Sequence, residues 1–191
     1  MKARESGMPE EALWASFFDA RAAIDKLLGP QGVAGDVLEF GCGYGTFTVP
    51  AALLTRGIVT ALDIEGEMVQ HVRQMARTLG LSNIRCEQRD FLVQGTGLDD
   101  GSQLRAMIFN LLHLERPVAL LQEAYRVLRA DGLLSVMHWR SDIPTPRGPS
   151  LAIRPTPEQC RKWIAAAGFR KIEFVDLNSC CPYHFGFIAM P

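Results

Sequence analysis

The stretch Val37-Leu-Glu-Phe-Gly41-Cys-Gly43-Tyr-Gly45-Thr-Phe-Thr-Val-Pro-Ala-Ala52 decides how the chain reads. An apolar run breaks into three alternate glycines and then becomes helix-like, which is the order strand, tight turn, helix. Glycine tolerates a positive φ and, lacking a Cβ, lets a ligand lie against the backbone, while the helix start that follows offers free N–H groups. A nucleotide-like ligand is the first expectation. A dinucleotide-binding turn needs G-x-G-x-x-G, whose third glycine would fall on Thr46, and no lysine follows the glycines as a phosphate loop requires.

Working outward, Gly57 to Asp63 is a short, partly β-branched apolar run ending in an acid, as a buried parallel strand reads. Asp63 lies 22 residues after Gly41, the separation at which a strand-end acid accepts hydrogen bonds from ribose hydroxyls. A helix N-cap for the segment beginning near Gly66 is its other reading. Further strands are expected over Asp36–Phe40, Ile84–Arg89, Leu104–Leu112, Leu133–Trp139, Lys171–Leu177 and Tyr183–Met190. Helices are expected over Thr46–Thr55, Glu67–Leu79, from Arg116-Pro117 to Leu128, and over Pro157–Ala167. This alternation implies an α/β fold with a mostly parallel sheet covered on both faces. The turn Asn178–Pro182 is too short for a parallel crossover, so the last two strands pair antiparallel.

Three segments frame the core. Pro9 to Leu28 reads as one N-terminal helix with Ala12, Leu13, Phe17, Ala20, Ile24, Leu27 and Leu28 at helical spacing, and Trp14, Phe17 and Phe18 as an aromatic cluster. Residues 93–103 read as a glycine-rich polar loop. Arg140 to Pro157 carries Pro144, Pro146, Pro149, Pro155 and Pro157, too many for regular structure, and loops of this length often cover a site.

Composition bounds the function. At 191 residues, with no internal repeat or linker, residues 1–191 form one domain, and 48% apolar with 21% charged residues are globular values. A formal net charge of -1 gives no electrostatic case for nucleic acid. The N-terminus lacks a signal-peptide core and no apolar run is long enough to span a bilayer, so a cytoplasmic protein without a membrane partner is expected. Cys42, Cys86, Cys160, Cys180 and Cys181 form no zinc spacing, no metal site is expected, and burial as reduced thiols is their default.

The glycine stretch resembles motif I of the class I S-adenosylmethionine-dependent methyltransferases, E/D-x-G-x-G-x-G, matched at Glu39, Gly41, Gly43 and Gly45. Two more segments carry the resemblance. Phe109-Asn110-Leu111-Leu112-His113 is similar to the F-N-x-L-H-H exit of small-molecule members, and Glu123 to Leu134 matches E-A-x-R-V-L-R-x-D-G-x-L. One departure is Arg105-Ala106, where the family usually opens the strand with an aspartate.

The resemblance implies a Rossmann-like three-layer sandwich with strand order 3-2-1-4-5-7-6 and S-adenosylmethionine as cofactor. It also implies that Asp63 holds the ribose, that Ile64 and Met68 pack near the adenine, and that Asp90 accepts from the adenine amine beside Phe91. Glu39, Gly41, Gly43, Gly45 and Asn110 complete the expected cofactor contacts. As a strand-end acid, Asp90 has a second reading as a turn residue. Helices ahead of motif I often cover the active site in this family, which makes residues 9–28 with the flanking Arg4–Pro9 a candidate lid.

Leucines at 111 and 112 replace the N/D-P-P-Y/F of enzymes that methylate exocyclic amines, which disfavours nucleobase or glutamine acceptors. A small, partly apolar metabolite is the expected methyl acceptor. His113 and His138 stand at the carboxyl ends of two strands and are the candidate general bases, with a structural, hydrogen-bonded histidine as the other reading of each. Other functions compatible with the sequence are a non-catalytic binding protein of this fold, an NAD(P)-dependent oxidoreductase, and a thiol-dependent metalloid methyltransferase using Cys180, Cys181 and Cys160.

Overall fold

The computed structural model describes residues 9–191, and the Arg4–Met8 part of the expected lid lies outside the described residues. In chain order the elements are α1 (Glu11–Ala15), α2 (Ala20–Leu28), β1 (Val37–Phe40), α3 (Thr48–Leu54), β2 (Val59–Asp63), α4 (Gly66–Thr78), β3 (Ile84–Gln88), α5 (Phe91–Gln94), β4 (Gln103–Phe109), α6 (Pro117–Val127), β5 (Leu128–Trp139), α7 (Pro157–Ala166), β6 (Arg170–Val175) and β7 (His184–Met190). A single sheet holds the seven strands in the order β3-β2-β1-β4-β5-β7-β6. The first five pair in parallel, and β7 runs antiparallel to both β5 and β6, as the short turn before it requires.

Strand alternation divides the apolar residues between two layers. Leu38, Phe40, Ala106 and Ile108 face α6 and α7 and pack with Leu120, Leu121, Cys160 and Ile164. The alternate residues Val37, Met107 and Phe109 face α2 and α3 and pack with Ile24, Leu27, Ala51 and Ala52. Both faces of the central strands are therefore buried, which explains their near-continuous apolar runs. Each fully buried leucine or phenylalanine contributes about 1.5–3 kcal/mol, so the sheet is a rigid platform for whatever its edge displays. Among the described residues no helix is long and apolar enough to cross a membrane.

Three elements differ from the sequence expectation. The N-terminal helix is broken between Ala15 and Ala20 because Asp19 starts a second helix. Its carboxylate accepts from the Ala22 N–H at 3.0 Å, and its own N–H donates to the Cys180 carbonyl at 2.7 Å. The expected loop at 93–103 is preceded and entered by a helical turn, Phe91–Gln94, capped by the Asp90 carboxylate, which accepts from the Leu92 N–H. The strand β5 begins at Leu128 instead of Leu133. Leu128 pairs with Gln103 and Leu133 with Arg105, so residues 129–132 between the expected helix and strand form a bulge within the strand.

One buried polar pair sits under the glycine turn. The Glu39 carboxyl on β1 accepts from the Thr48 hydroxyl on α3 and is 2% exposed. Burial, reinforced by the nearby Asp63 carboxylate and only partly offset by Thr48, raises its pKa from 4.5 to about 8. Between those two values the folded chain binds a proton that the unfolded chain has lost, so this group's stabilisation falls as pH rises from about 4.5 to 8. Thermal unfolding from pH 5 to pH 8 should therefore show Glu39→Gln gaining stability relative to wild type with rising pH, by up to about 1.4 kcal/mol per pH unit. A difference between the two proteins that does not change with pH contradicts the buried, protonated carboxyl.

Candidate active site

The strand order reverses between β1 and β4, and open α/β sheets bind ligands outside the carboxyl ends of their strands at such a point. A cleft of about 1170 Å³, counting the space at its open mouth, occupies that place. The turn after β1 supplies Gly41, Cys42 and Gly43; the exit of β2 supplies Asp63, Ile64 and Glu65; the exit of β3 supplies Arg89, Asp90 and Phe91. The exit of β4 supplies Asn110, Leu111 and His113, and Trp139 ends β5.

Asp63 joins two of these exits. Its Oδ2 accepts from the Gly43 N–H at 2.8 Å and its Oδ1 from the Glu65 N–H at 2.9 Å. The cap of α4 is Glu65, so Asp63 serves the turn rather than the helix start. Gly43 adopts φ +49° and Gly41 φ +74°. A Cβ on Gly41 would stand 3.2 Å from Leu111, in the space between the first and fourth strand exits.

Asn110 is a non-glycine residue at φ +59°, a conformation that costs free energy and concentrates at functional sites. Its N–H donates to the Met137 carbonyl at 2.7 Å, which ties the turn to β5. Its Oδ1 is buried in the cleft wall and accepts no hydrogen bond among the described residues. A buried acceptor left in this state fits a ligand donor.

Two buried histidines meet at the other end. His113 Nδ1 stands 3.3 Å from His138 Nε2, and His138 Nδ1 stands 3.1 Å from the Trp139 carbonyl. Burial, with His113 and Arg154 adding positive potential, lowers the His138 pKa to about 3. Nearby, His184 lies against Trp139 with ring centroids 4.1 Å apart, and burial holds it well below its usual value.

Loop 140–156 lies over this end, as its prolines suggested. Gly148 at φ +107° lets the loop touch Trp139, where a Cβ would come within 2.8 Å of the indole. Arg154 holds the loop in shape by donating to the carbonyls of Arg140, Arg147 and Pro149 and to the Thr145 hydroxyl. The helix α1 is fixed to the glycine turn. Trp14 Nε1 donates to Thr46 Oγ1 at 3.1 Å, and the Tyr44 hydroxyl donates to the Pro9 carbonyl at 2.8 Å.

Of the residues singled out from the sequence, Gly41, Gly43, Asp63, Ile64, Met68, Asp90, Phe91, Asn110 and His113 all line the cleft. Glu39, Gly45 and His138 stand behind its wall. Gly45 is small for packing, since a Cβ there would meet Val72 at 3.0 Å. The metalloid reading does not survive the geometry, because Cys160 lies in one core layer and Cys180 and Cys181 in the other, all away from the cleft. Trp14 was marked only as part of the candidate lid, and Phe47 and Trp139 had no local signal marking them for the site, because tertiary packing brings them there.

Fold and cleft together define a doubly wound α/β protein with an open cleft at its switch point. The model of the methyltransferase domain matches residues 37–132, half of the chain, and the protein belongs to that family. Among solved structures, an S-adenosylmethionine-dependent methyltransferase from Aquifex aeolicus is similar, with 22% identity, 95% of this chain and 93% of that one covered, and a TM-score of 0.79. A second, from Archaeoglobus fulgidus, has 17% identity, 96% and 100% coverage and a TM-score of 0.68. Geranyl diphosphate methyltransferase in complex with S-adenosylmethionine has 16% identity, 94% and 84% coverage and a TM-score of 0.69. At these identities the likeness is one of fold. No curated protein matches the sequence.

Gly148→Ala should strain the loop at its contact with Trp139 by on the order of 1–3 kcal/mol. Limited proteolysis should then cut within 140–156 faster than in wild type while the thermal midpoint of the whole domain moves little. Unchanged cleavage would show that the loop is not held by this contact.

Proposed function

We propose that the protein transfers a methyl group from S-adenosylmethionine to a small, partly apolar acceptor. The observation that carries this reading is the Asp63 carboxylate beside Gly41 and Gly43, at the strand-end position that suits ribose hydroxyls. The cofactor is S-adenosylmethionine, as membership of the methyltransferase family implies. When bound, it supplies an electrophilic methyl group on a sulfonium sulfur.

The residues present fit that cofactor. Asp63 would accept from the ribose, Ile64, Met68 and Phe91 would flank the adenine, and Asp90 would accept from its amine. Gly41 and Gly43 would let the cofactor lie against the backbone, and Asn110 Oδ1 offers a buried acceptor to one of its donors. Glu39 and Gly45 act from behind, Glu39 by holding Thr48 at the helix start and Gly45 by admitting α4. Beyond the glycine turn, Trp14, Phe47, Phe109 and Trp139 line the same cleft as His113 and offer apolar walls that would receive the acceptor. The chain's contribution is alignment of acceptor and methyl group, with α1 and loop 140–156 excluding water.

Asp63→Ala removes a charged acceptor of the kind worth about 1.5–3 kcal/mol, so S-adenosylhomocysteine affinity measured by calorimetry should fall by about 10-fold to 100-fold. Unchanged affinity in a variant that still folds would remove the ribose assignment.

A further inference from the structure

We propose that Cys42 and Cys86 form a reversible disulfide that pulls the glycine turn out of its cofactor-binding shape, so that peroxide switches the site off. The effect on the cofactor rests on the methyl-transfer reading above, while the disulfide itself does not.

The two thiols come from different elements. Cys42 stands between Gly41 and Gly43 in the turn after β1 and lines the cleft, while Cys86 is the central residue of β3. Both pack with Ala61 of β2 and with Val69 and Val72 of α4, and their sulfurs are 3.7 Å apart. A disulfide needs that gap to close to about 2.05 Å. Cys160 lies in the layer against α6 and α7, and Cys180 and Cys181 are adjacent residues in the layer against α2, so none of them competes for this pair.

One side of the pair yields more readily than the other. Cys86 is fixed in the sheet, paired with Ala61, and Arg73 donates to its carbonyl from Nε at 2.9 Å and from Nη2 at 2.7 Å. Cys42 lies between two glycines at φ +74° and +49°, whose backbone is free to take other angles. The turn therefore moves toward β3 rather than the reverse. That movement draws the Gly43 N–H off the Asp63 carboxylate, now 2.8 Å away, and shifts the backbone against which the cofactor would lie.

The thiolate is the reactive form of cysteine. The Cys42 S–H, donated to the Cys86 sulfur, and the Arg73 guanidinium lower the Cys86 pKa, against burial and the carboxylates of Asp63 and Glu87. The same contact raises that of Cys42. Hydrogen peroxide, a molecule little larger than water, meets the pair at the cleft wall through Cys42. The Cys86 proton goes to solvent, its sulfur bonds to one peroxide oxygen, the O–O bond breaks and hydroxide leaves, giving a sulfenic acid. The Cys42 sulfur then bonds to the Cys86 sulfur as the S–O bond breaks, and hydroxide leaves with the Cys42 proton as water. Two thiols thus give up two electrons and two protons, and one peroxide becomes two waters. A small dithiol reverses the change by exchange. Cofactor bound against the turn holds it in the reduced shape, so cofactor and disulfide oppose each other by the same factor in both directions.

The test treats the full chain, purified reduced, with hydrogen peroxide, blocks the remaining thiols with iodoacetamide and maps tryptic peptides without reduction. A link should join the peptides of residues 27–56 and 86–89. By calorimetry, S-adenosylhomocysteine affinity should fall about 10-fold or more on oxidation and return with dithiothreitol. Saturating S-adenosylhomocysteine should slow formation of the link. Cys86→Ala should bind as reduced wild type does and keep its affinity after peroxide. No link, a link that leaves affinity unchanged or forms as fast with ligand bound, or an equal loss of affinity in peroxide-treated Cys86→Ala overturns the proposal. The map and the wild-type calorimetry need no variant to fold. Reduced wild type that binds no S-adenosylhomocysteine defeats the methyl-transfer reading and the effect on the cofactor with it, whereas an absent link beside intact binding defeats the disulfide alone.

Discussion

The site depends on one carboxylate that holds two loops. Asp63 accepts from the N–H of Gly43 and from that of Glu65, so the turn after β1 and the entry to α4 are fixed to the end of β2. Everything at the switch point is arranged around that junction. The positive φ of Gly41 and Gly43 bends the chain away from the strand ends, and Leu111 fills the space that a Cβ on Gly41 would take. The buried Glu39–Thr48 pair supports the same turn from below. A rigid parallel sheet, apolar on both faces, keeps these strand exits in register.

From there the cleft extends to a second region of different character. Around the Asp63 junction it is polar and shaped by backbone. Toward Trp139 it is aromatic, and there the His113 ring meets His138, whose Nδ1 stands 3.1 Å from the Trp139 carbonyl. The division suits a site that holds a nucleoside by fixed hydrogen bonds and a second molecule by shape. Of the two covers, α1 is attached to the glycine turn through Trp14 and Tyr44, while Arg154 ties loop 140–156 to itself and lies over the Trp139 ring.

Much of the fold was legible in the sequence because its strands are short apolar runs punctuated by glycine and acid, and because the hairpin turn after β6 admits one pairing only. Asp63, Asp90, Asn110 and His113 were legible as candidates because each stands at or soon after a strand's carboxyl end, and all four line the cleft. Asp19 was not read as a break because the apolar spacing of Pro9–Leu28 continues through it; its carboxylate caps the new helix at Ala22, and its N–H is held by the Cys180 carbonyl, distant in sequence. The turn Phe91–Gln94 is short enough to read as loop. Trp139 was expected only as the end of a strand. Its neighbours in the cleft come from α1, the loop around Gly148 and β7, and no local pattern announces such a meeting. The histidine pair was visible as two residues but not as a pair, since 25 positions separate them.

A structure determined with S-adenosylhomocysteine tests the central claim most directly. The expected result is a ligand at the β1–β4 switch point with its ribose hydroxyls on the Asp63 carboxylate, its adenine between Ile64 and Phe91, and its sulfur on the His113 side of the glycine turn. An adenosyl group elsewhere on the molecule, or a ribose turned away from Asp63, would contradict it.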